Sequence, residues 1–203
     1  LLGIALTIHD RFDLDRFAAA DATLTSIVPT QLTRLLDAGV DLTRFRAILL
    51  GGAAASPALL ARASSAGPPV VTTYGMSETA GGCVYDGVPL DGVDVTLRPD
   101  GRIALRGPML MKGYRLRPDL TAAVFDDGWL VTTDLGAMDE DGRLRVLGRA
   151  DDVIVTGGEN VVAGDVADEL RRHAAIADAE VIGMPDRRWG QRVVAVIVSR
   201  VDP

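Results

Sequence analysis

Four short apolar runs in the first eighty residues alternate with segments of helical character. That alternation constrains the fold more than any other feature of the chain. "GIALTI" (3–8) reads as a strand, and "DLDRFAAAD" (13–21) as a short helix led by an Asp cap. "TLTSIVP" (23–29) is a second strand, and "TQLTRLLDAG" (30–39) a helix opened by Thr30 and closed by Gly39. "FRAILLGG" (45–52) is a third strand. "SPALLARASSAG" (56–67) sets Ser56 at the cap and Pro57 in the first turn, and ends at Gly67. "PPVVTTYG" (68–75) is a fourth strand. Strands apolar throughout, separated by helices, predict a parallel sheet covered on both faces. Ligands bind such sheets beyond the carboxyl ends of the strands. Gly51–Gly52 and Tyr74–Glu78 both fall at such ends, so both loops are expected to face one crevice.

The pattern changes near residue 84. "VDVTLRPDGRIALRG" (93–107) is two alternating runs joined by Pro-Asp-Gly, a hairpin signal. "GWLVTTDLGAMDEDGRLRVLGR" (128–149) repeats the design around Asp141–Gly142, and "RPDLTAAVF" (117–125) between them is a helix. This stretch is expected to be a small barrel or a distorted sheet. From Ala150 the chain becomes α+β: an apolar run in "DDVIVTGGENV", an amphipathic helix in "AGDVADELRRHAAI" with Val166 and Leu170 on one face, then strands "AEVIGMP" and "RVVAVIVS". The expected fold class is α/β, with a parallel sheet and flanking helices over 1–83, a β-rich subdomain over 84–149, and part of a small α+β C-terminal domain over 150–203.

Composition sets outer bounds. With 48% hydrophobic residues in 203 the chain is globular, and a net charge of -7 argues against a general nucleic-acid binder. Cys83 is the only cysteine, which excludes an internal disulfide and fits a reducing compartment. No apolar run reaches the roughly 20 residues of a membrane span. A soluble cytoplasmic protein is expected, and homo-oligomerisation is left open. The chain opens and closes beside apparent strands, so both ends read as cut.

Several segments admit a chemical reading beside a purely local one. Gly51 and Gly52 let a ring or a phosphate approach the backbone, or simply make a tight connection. In "YGMSET" (74–79), Ser77 and Glu78 suit a helix N-terminus. Equally, Ser77 and nearby N–H groups suit a phosphate, Glu78 a Mg2+ ion, and Tyr74 a base. Asp134 is either a turn former or a carboxylate for vicinal ribose hydroxyls. Arg149 is either a cation between two domains or part of an ordinary linker with a surface ion pair, and Asp151–Asp152 either pair with it or mark a turn. His9 and His173 stand alone, and Cys83 reads best as a small buried hydrophobe.

The order and spacing of "GGAAASP", "YGMSETAGG", "GWLVTTDLG" and "GRADDVIVTGGENV" resemble the adenylate-forming superfamily of acyl-CoA synthetases, luciferases and adenylation domains. "RGPMLMKGY" and "VIGMPDRRWGQRVVAVIV" extend the resemblance over essentially the whole chain. Within it, "SETAGGCVYDGVPLDGV" looks most like the o-succinylbenzoate–CoA ligases of menaquinone biosynthesis. The resemblance implies ATP, Mg2+, CoA and a small carboxylic acid as ligands. It implies an acyl-adenylate formed with release of pyrophosphate, then a CoA thioester. Carried over, Tyr74 would stack on adenine with Ala53 and Thr72 along its edge, Gly52 and Gly75 would also bind the nucleotide, and Ser77 would meet the α-phosphate. Glu78 would bind the metal, while Asp134 and Arg149 would hold the ribose. Met76, Gly81, Gly82 and Cys83 would line the acyl pocket. Asp151 would be a hinge, and Gly157–Gly158 part of the loop used for thioester formation. Thr133 stands where the family has Gly, and Ala163 where Pro is common. The family's phosphate-gripping loop and its C-terminal catalytic lysine have no counterpart, Lys112 being the sole lysine. The resemblance therefore predicts the adenine, ribose and α-phosphate half of a site. A fatty or other aromatic acid, or nucleotide binding alone, remain the alternatives.

Overall fold

The computed structural model describes residues 6–67 and 69–200. They divide into two compact units, one running to Thr73 and one starting at Tyr74.

The first unit contains α1 (Leu14–Ala19), β1 (Leu24–Ile27), α2 (Pro29–Asp37), β2 (Ala47–Leu50), α3 (Pro57–Ser65) and the start of β3 (Val70–Met76). β1 pairs with β2 in parallel (Ile27 opposite Leu50), and β2 with β3 in parallel (Leu50 opposite Thr72). The parallel sheet that the alternation predicts is present. Two caps form as read: the Asp13 carboxylate accepts from the Arg16 N–H at 3.0 Å, and the Ser56 hydroxyl from the Leu59 N–H at 3.2 Å. The helices bury Leu32, Leu35 and Ala63 beside Ile27, Ile48 and Leu50, with Leu42 and Phe45 completing the core.

Two expectations need correction. Thr30 does not open α2. Val28 is the cap residue and Pro29 takes the first helical position, because proline has no N–H to leave unsatisfied and its φ already suits a helix. The Gln31 side chain accepts from the Val28 N–H at 3.0 Å in place of a threonine cap. The strand expected over 3–8 is also not seen. Residues 3–5 lie outside the described residues, and 6–8 are not strand. Leu6 and Ile8 stand 79% and 80% exposed. A strand is stable when neighbours take up its backbone groups, and among the described residues none lies beside them.

The second unit opens with the end of β3, a 3-10 turn at Ser77–Thr79, and a hairpin of β4 (Gly81–Tyr85) and β5 (Val88–Pro89). Next come β6 (Asp94–Leu97), β7 (Arg102–Arg106), α4 (Pro118–Val124), β8 (Phe125–Asp126), β9 (Trp129–Met138) and β10 (Leu144–Arg149). Their sheet runs β10-β9-β7-β6 with β8 beside β9, so the distorted sheet is adopted rather than a barrel. Both expected hairpins form, at Arg98–Gly101 and Asp139–Gly142. Cys83, Val84, Ile103, Leu105 and Leu144 make the core. After a second 3-10 turn at Ala150–Asp152 follow β11 (Val153–Thr156), β12 (Glu159–Val162), α5 (Ala163–Arg171), β13 (Ile176–Asp186) and β14 (Gly190–Ser199). They form an antiparallel sheet in the order β12-β11-β14-β13. Val166 and Leu170 of α5 pack on Ile154, Ala167 and Val181, the face that the helical spacing predicts. The "VIVTGGENV" run is thus a hairpin of β11 and β12. Its turn needs two glycines, because Gly157 and Gly158 both have positive φ, +58° and +88°.

Candidate functional site

The Ser77–Glu78–Thr79 segment owes its shape to the threonine. Thr79 is 2% exposed. Its hydroxyl accepts from the Met76 N–H at 2.9 Å and donates to the Gly81 carbonyl at 2.7 Å. One side chain thus closes the turn on both sides, and Ala80 leaves it in the left-handed region (φ 55°). The glycines around it are required by crowding. A Cβ on Gly75 would sit 2.0 Å from the Gly81 carbonyl oxygen and 2.7 Å from the Gly82 Cα. The turn is therefore folded back on the strand that leads into it.

With the turn closed by Thr79, the other two side chains are spared. Ser77 is exposed, and its hydroxyl makes no hydrogen bond among the described residues. Ser77 is not the N-cap that the local reading offers; Met76 holds that place. Glu78 is half-buried, and its Oε1 accepts from the Tyr114 hydroxyl at 2.7 Å. Its backbone carbonyl accepts from the Met111 N–H, also at 2.7 Å. Hydrogen bonding to the Glu78 carboxylate holds the Tyr114 phenol above its usual pKa.

Tyr74 and Asp134, 60 positions apart, meet directly: the phenol donates to Asp134 Oδ2 at 2.8 Å. Burial, and then the carboxylate, drive the Tyr74 pKa far above the usual phenol value. Asp134 lies within β9, where the Thr132 hydroxyl accepts from its N–H at 3.1 Å and donates to the Ile103 carbonyl at 2.9 Å. Opposite Asp134 on β10 stands Arg149. Its Nη2 donates to the Thr133 hydroxyl at 2.7 Å, so Thr133 holds the arginine that Gly at that position would leave free. Asp134 Oδ1 remains available, and a carboxylate oxygen accepts more than one bond.

Other predicted site residues are placed as follows. Gly52 and Ala53 are exposed just after β2 in the first unit. Gly52 has φ +78°, and neighbouring Gly51 could not carry a Cβ, which would fall 2.1 Å from Thr73 Oγ1. Thr72 lies on β3, half-buried. Met76 packs against the core that buries Cys83, a residue 1% exposed whose thiol is pushed to a higher pKa by burial. Gly81 and Gly82 are exposed. Asp151 is exposed in the 3-10 turn between the two antiparallel sheets. Gly157 lies against Trp189, its N–H donating to the Trp189 carbonyl at 2.9 Å. Tyr114 carries no site role in the sequence reading, although it ends the "RGPMLMKGY" segment. A Gly-Tyr pair before an Arg-Pro-Asp helix start is the only local signal for it.

Among the described residues no cluster of three or more His, Cys, Asp or Glu gathers around one point. Glu78, with Oε2 unbonded among the described residues, presents a single carboxylate. That donor set suits Mg2+, which takes one or two carboxylates and fills its sphere with water and substrate phosphate oxygens. Among the described residues no helix is long and apolar enough to cross a membrane.

A parallel α/β unit followed by antiparallel sheets, with Tyr74 near the end of β3 bonded to Asp134 within β9 and Glu78 in the turn after β3, defines the class of protein. A family model described as AMP-binding enzyme matches residues 1–115, and the chain belongs to that family. It is 49% identical over 181 residues to a probable 2-succinylbenzoate–CoA ligase of Mycobacterium tuberculosis, covering 86% of this chain and 46% of that protein. Solved structures agree. The o-succinylbenzoate CoA synthetase of Bacillus subtilis with the acyl-adenylate intermediate OSB-AMP superposes with TM-score 0.84 at 33% identity. The match covers 96% of this chain and 46% of that one. The same enzyme in complex with ATP and magnesium ion gives 0.81 at 33%, over 95% and 46%. The chain spans about half the length of the curated relatives it matches.

Proposed function

We propose that this chain serves an ATP-dependent acid–CoA ligase whose acid is 2-succinylbenzoate. The observation that carries the reading is the Tyr74–Asp134 hydrogen bond. It joins two residues, distant in sequence, that the family resemblance assigns to the base and the sugar of one nucleoside. In the reaction a carboxylate oxygen attacks the α-phosphorus of ATP, and the bond to pyrophosphate breaks as the acyl-adenylate forms. The CoA thiolate then attacks the acyl carbon, and AMP leaves.

The residues divide this work. The Tyr74 ring stacks on adenine beside Gly75, and Asp134 accepts from the ribose hydroxyls with Arg149 alongside. The Ser77 hydroxyl, with no partner among the described residues, donates to the α-phosphate. Glu78 would hold Mg2+, which neutralises charge gathering on the phosphates. Met76, Gly81 and Gly82 line the acyl side, with Cys83 behind them in the core. Adenylation and thioester formation need different groups at one carbonyl. The exposed turn at Asp151 is a suitable hinge for exchanging them, bringing the Gly157–Gly158 turn to the carbonyl. A domain limit at 149 accords with β6–β10 and β11–β14 forming separate sheets, whereas the limit proposed at 83 falls inside β4. A cytoplasmic location accords with the single buried cysteine.

Two measurements test this. Calorimetry on the chain should show AMP binding, weakened about tenfold by Asp134→Asn; no AMP binding would sink the nucleotide assignment. Pyrophosphate release by the full-length protein bearing this chain, with ATP, Mg2+ and CoA, should be fastest with 2-succinylbenzoate. Faster release with a fatty or another aromatic acid would overturn the choice of acid and leave the ligase class standing.

A further inference from the structure

We infer that Tyr114 is a positioning residue for Glu78, fixing which carboxylate oxygen is presented to the metal–nucleotide complex. The inference rests on the reading of Glu78 given above. The segment 111–114 grips Glu78 twice: the Met111 N–H holds its carbonyl and the Tyr114 hydroxyl holds Oε1, each at 2.7 Å. A hydroxyl on a carboxylate at that distance is a charge-assisted hydrogen bond, roughly twice as strong as a neutral one. It leaves Oε2 as the oxygen without a partner among the described residues and restricts rotation of the carboxylate.

Tyr114 is itself anchored, so it can transmit position. Its N–H donates to Thr121 Oγ1 at 2.9 Å, and that hydroxyl donates to the Arg117 carbonyl at 3.0 Å, in the first turn of α4. Gly113 permits the approach: its φ is +145°, and a Cβ there would lie 2.8 Å from Thr121 Cγ2. α4 therefore sets the Tyr114 backbone, Tyr114 sets Glu78 Oε1, and Oε2 is what remains for a cation. Groups that orient a metal-binding carboxylate in this way typically govern metal affinity by tenfold or more without touching the ion.

The test uses the chain itself, with Mn2+ in place of Mg2+ so that bound ion is counted by electron paramagnetic resonance in the presence of ATP. Tyr114→Phe removes one oxygen from a half-buried ring. It should weaken Mn2+ binding about tenfold while AMP affinity measured without metal stays within about twofold. Glu78→Gln should weaken Mn2+ at least as much, and adding Tyr114→Phe to it should change nothing further. Unchanged Mn2+ affinity in Tyr114→Phe overturns the inference. So does an equal loss of AMP and Mn2+ affinity, or an undiminished effect in the Glu78→Gln background, since either marks a brace for the fold alone. If Glu78→Gln itself leaves Mn2+ binding intact, the metal role of Glu78 fails first, and the inference falls with it for a separate reason.

Discussion

Replacing Thr79 with valine keeps the shape of a buried side chain and deletes one oxygen. That oxygen is the acceptor for the Met76 N–H and the donor to the Gly81 carbonyl. Gly81 is exposed, so water can replace the lost donor at little cost. Met76 is half-buried, and its N–H is left without its acceptor. A buried polar group stripped of its partner costs about 1–3 kcal/mol, so about 2 kcal/mol is expected here. No cavity adds to it, because valine and threonine fill the same volume. Thr79→Ser restores the oxygen and loses one methyl, about 0.8 kcal/mol. The two variants therefore separate the hydrogen bonds from the packing. Hydrogen exchange at the Met76 amide reads the effect where it arises: 2 kcal/mol corresponds to roughly 30-fold faster exchange in Thr79→Val. AMP affinity should fall as well, since the same turn presents Ser77 and Glu78. A Met76 amide that exchanges within about threefold of the wild-type rate would show that Thr79 does not hold the turn.

Three further outcomes follow from the same geometry. Gly75→Ala drives a Cβ to 2.0 Å from the Gly81 carbonyl, where neither backbone can yield; a loss of about 3 kcal/mol is expected in urea unfolding, and a neutral result would refute the packing argument. Tyr74 has its pKa raised from 10.0, so the unfolded chain gives up that proton first. The stability it contributes is present below pH 10 and is lost as pH rises further, and Tyr74→Phe should flatten the alkaline limb of a pH–stability curve. Gly157→Ala meets both a positive φ and the Trp189 ring at 2.7 Å, which flexible ring movement only partly relieves. A loss of about 1–2 kcal/mol with a change in tryptophan fluorescence is expected, and unaltered fluorescence would count against it.

Much of the scaffold was legible because its signals are local. The Asp13 and Ser56 caps, the Pro-Asp-Gly and Asp-Glu-Asp-Gly turns, and the Val166/Leu170 face of α5 each depend on residues within a turn or two of one another. Where two local rules compete, as at Val28–Thr30, proline's fixed φ prevails over the threonine cap. Of the strand expected over 3–8, the described residues 6–8 are not strand for a different reason. Apolar content makes a strand only where a neighbour completes it, and a neighbour is not a property of the segment.

The residues that carry the candidate site follow the same division. By itself, the sequence determined the parallel pairing of the first unit, the hairpins at 98–101 and 139–142, and the ordered motifs that place Tyr74, Ser77, Glu78, Asp134 and Arg149 at strand ends or on a strand. Only tertiary structure decided what each side chain does there. It spends Thr79 on the backbone and leaves Ser77 free, and it binds Glu78 to Tyr114, Tyr74 to Asp134 and Arg149 to Thr133. Those pairs lie up to 60 positions apart. A hydrogen bond acts over about 3 Å, and which distant residues come that close is set by how the chain returns on itself rather than by anything written beside them.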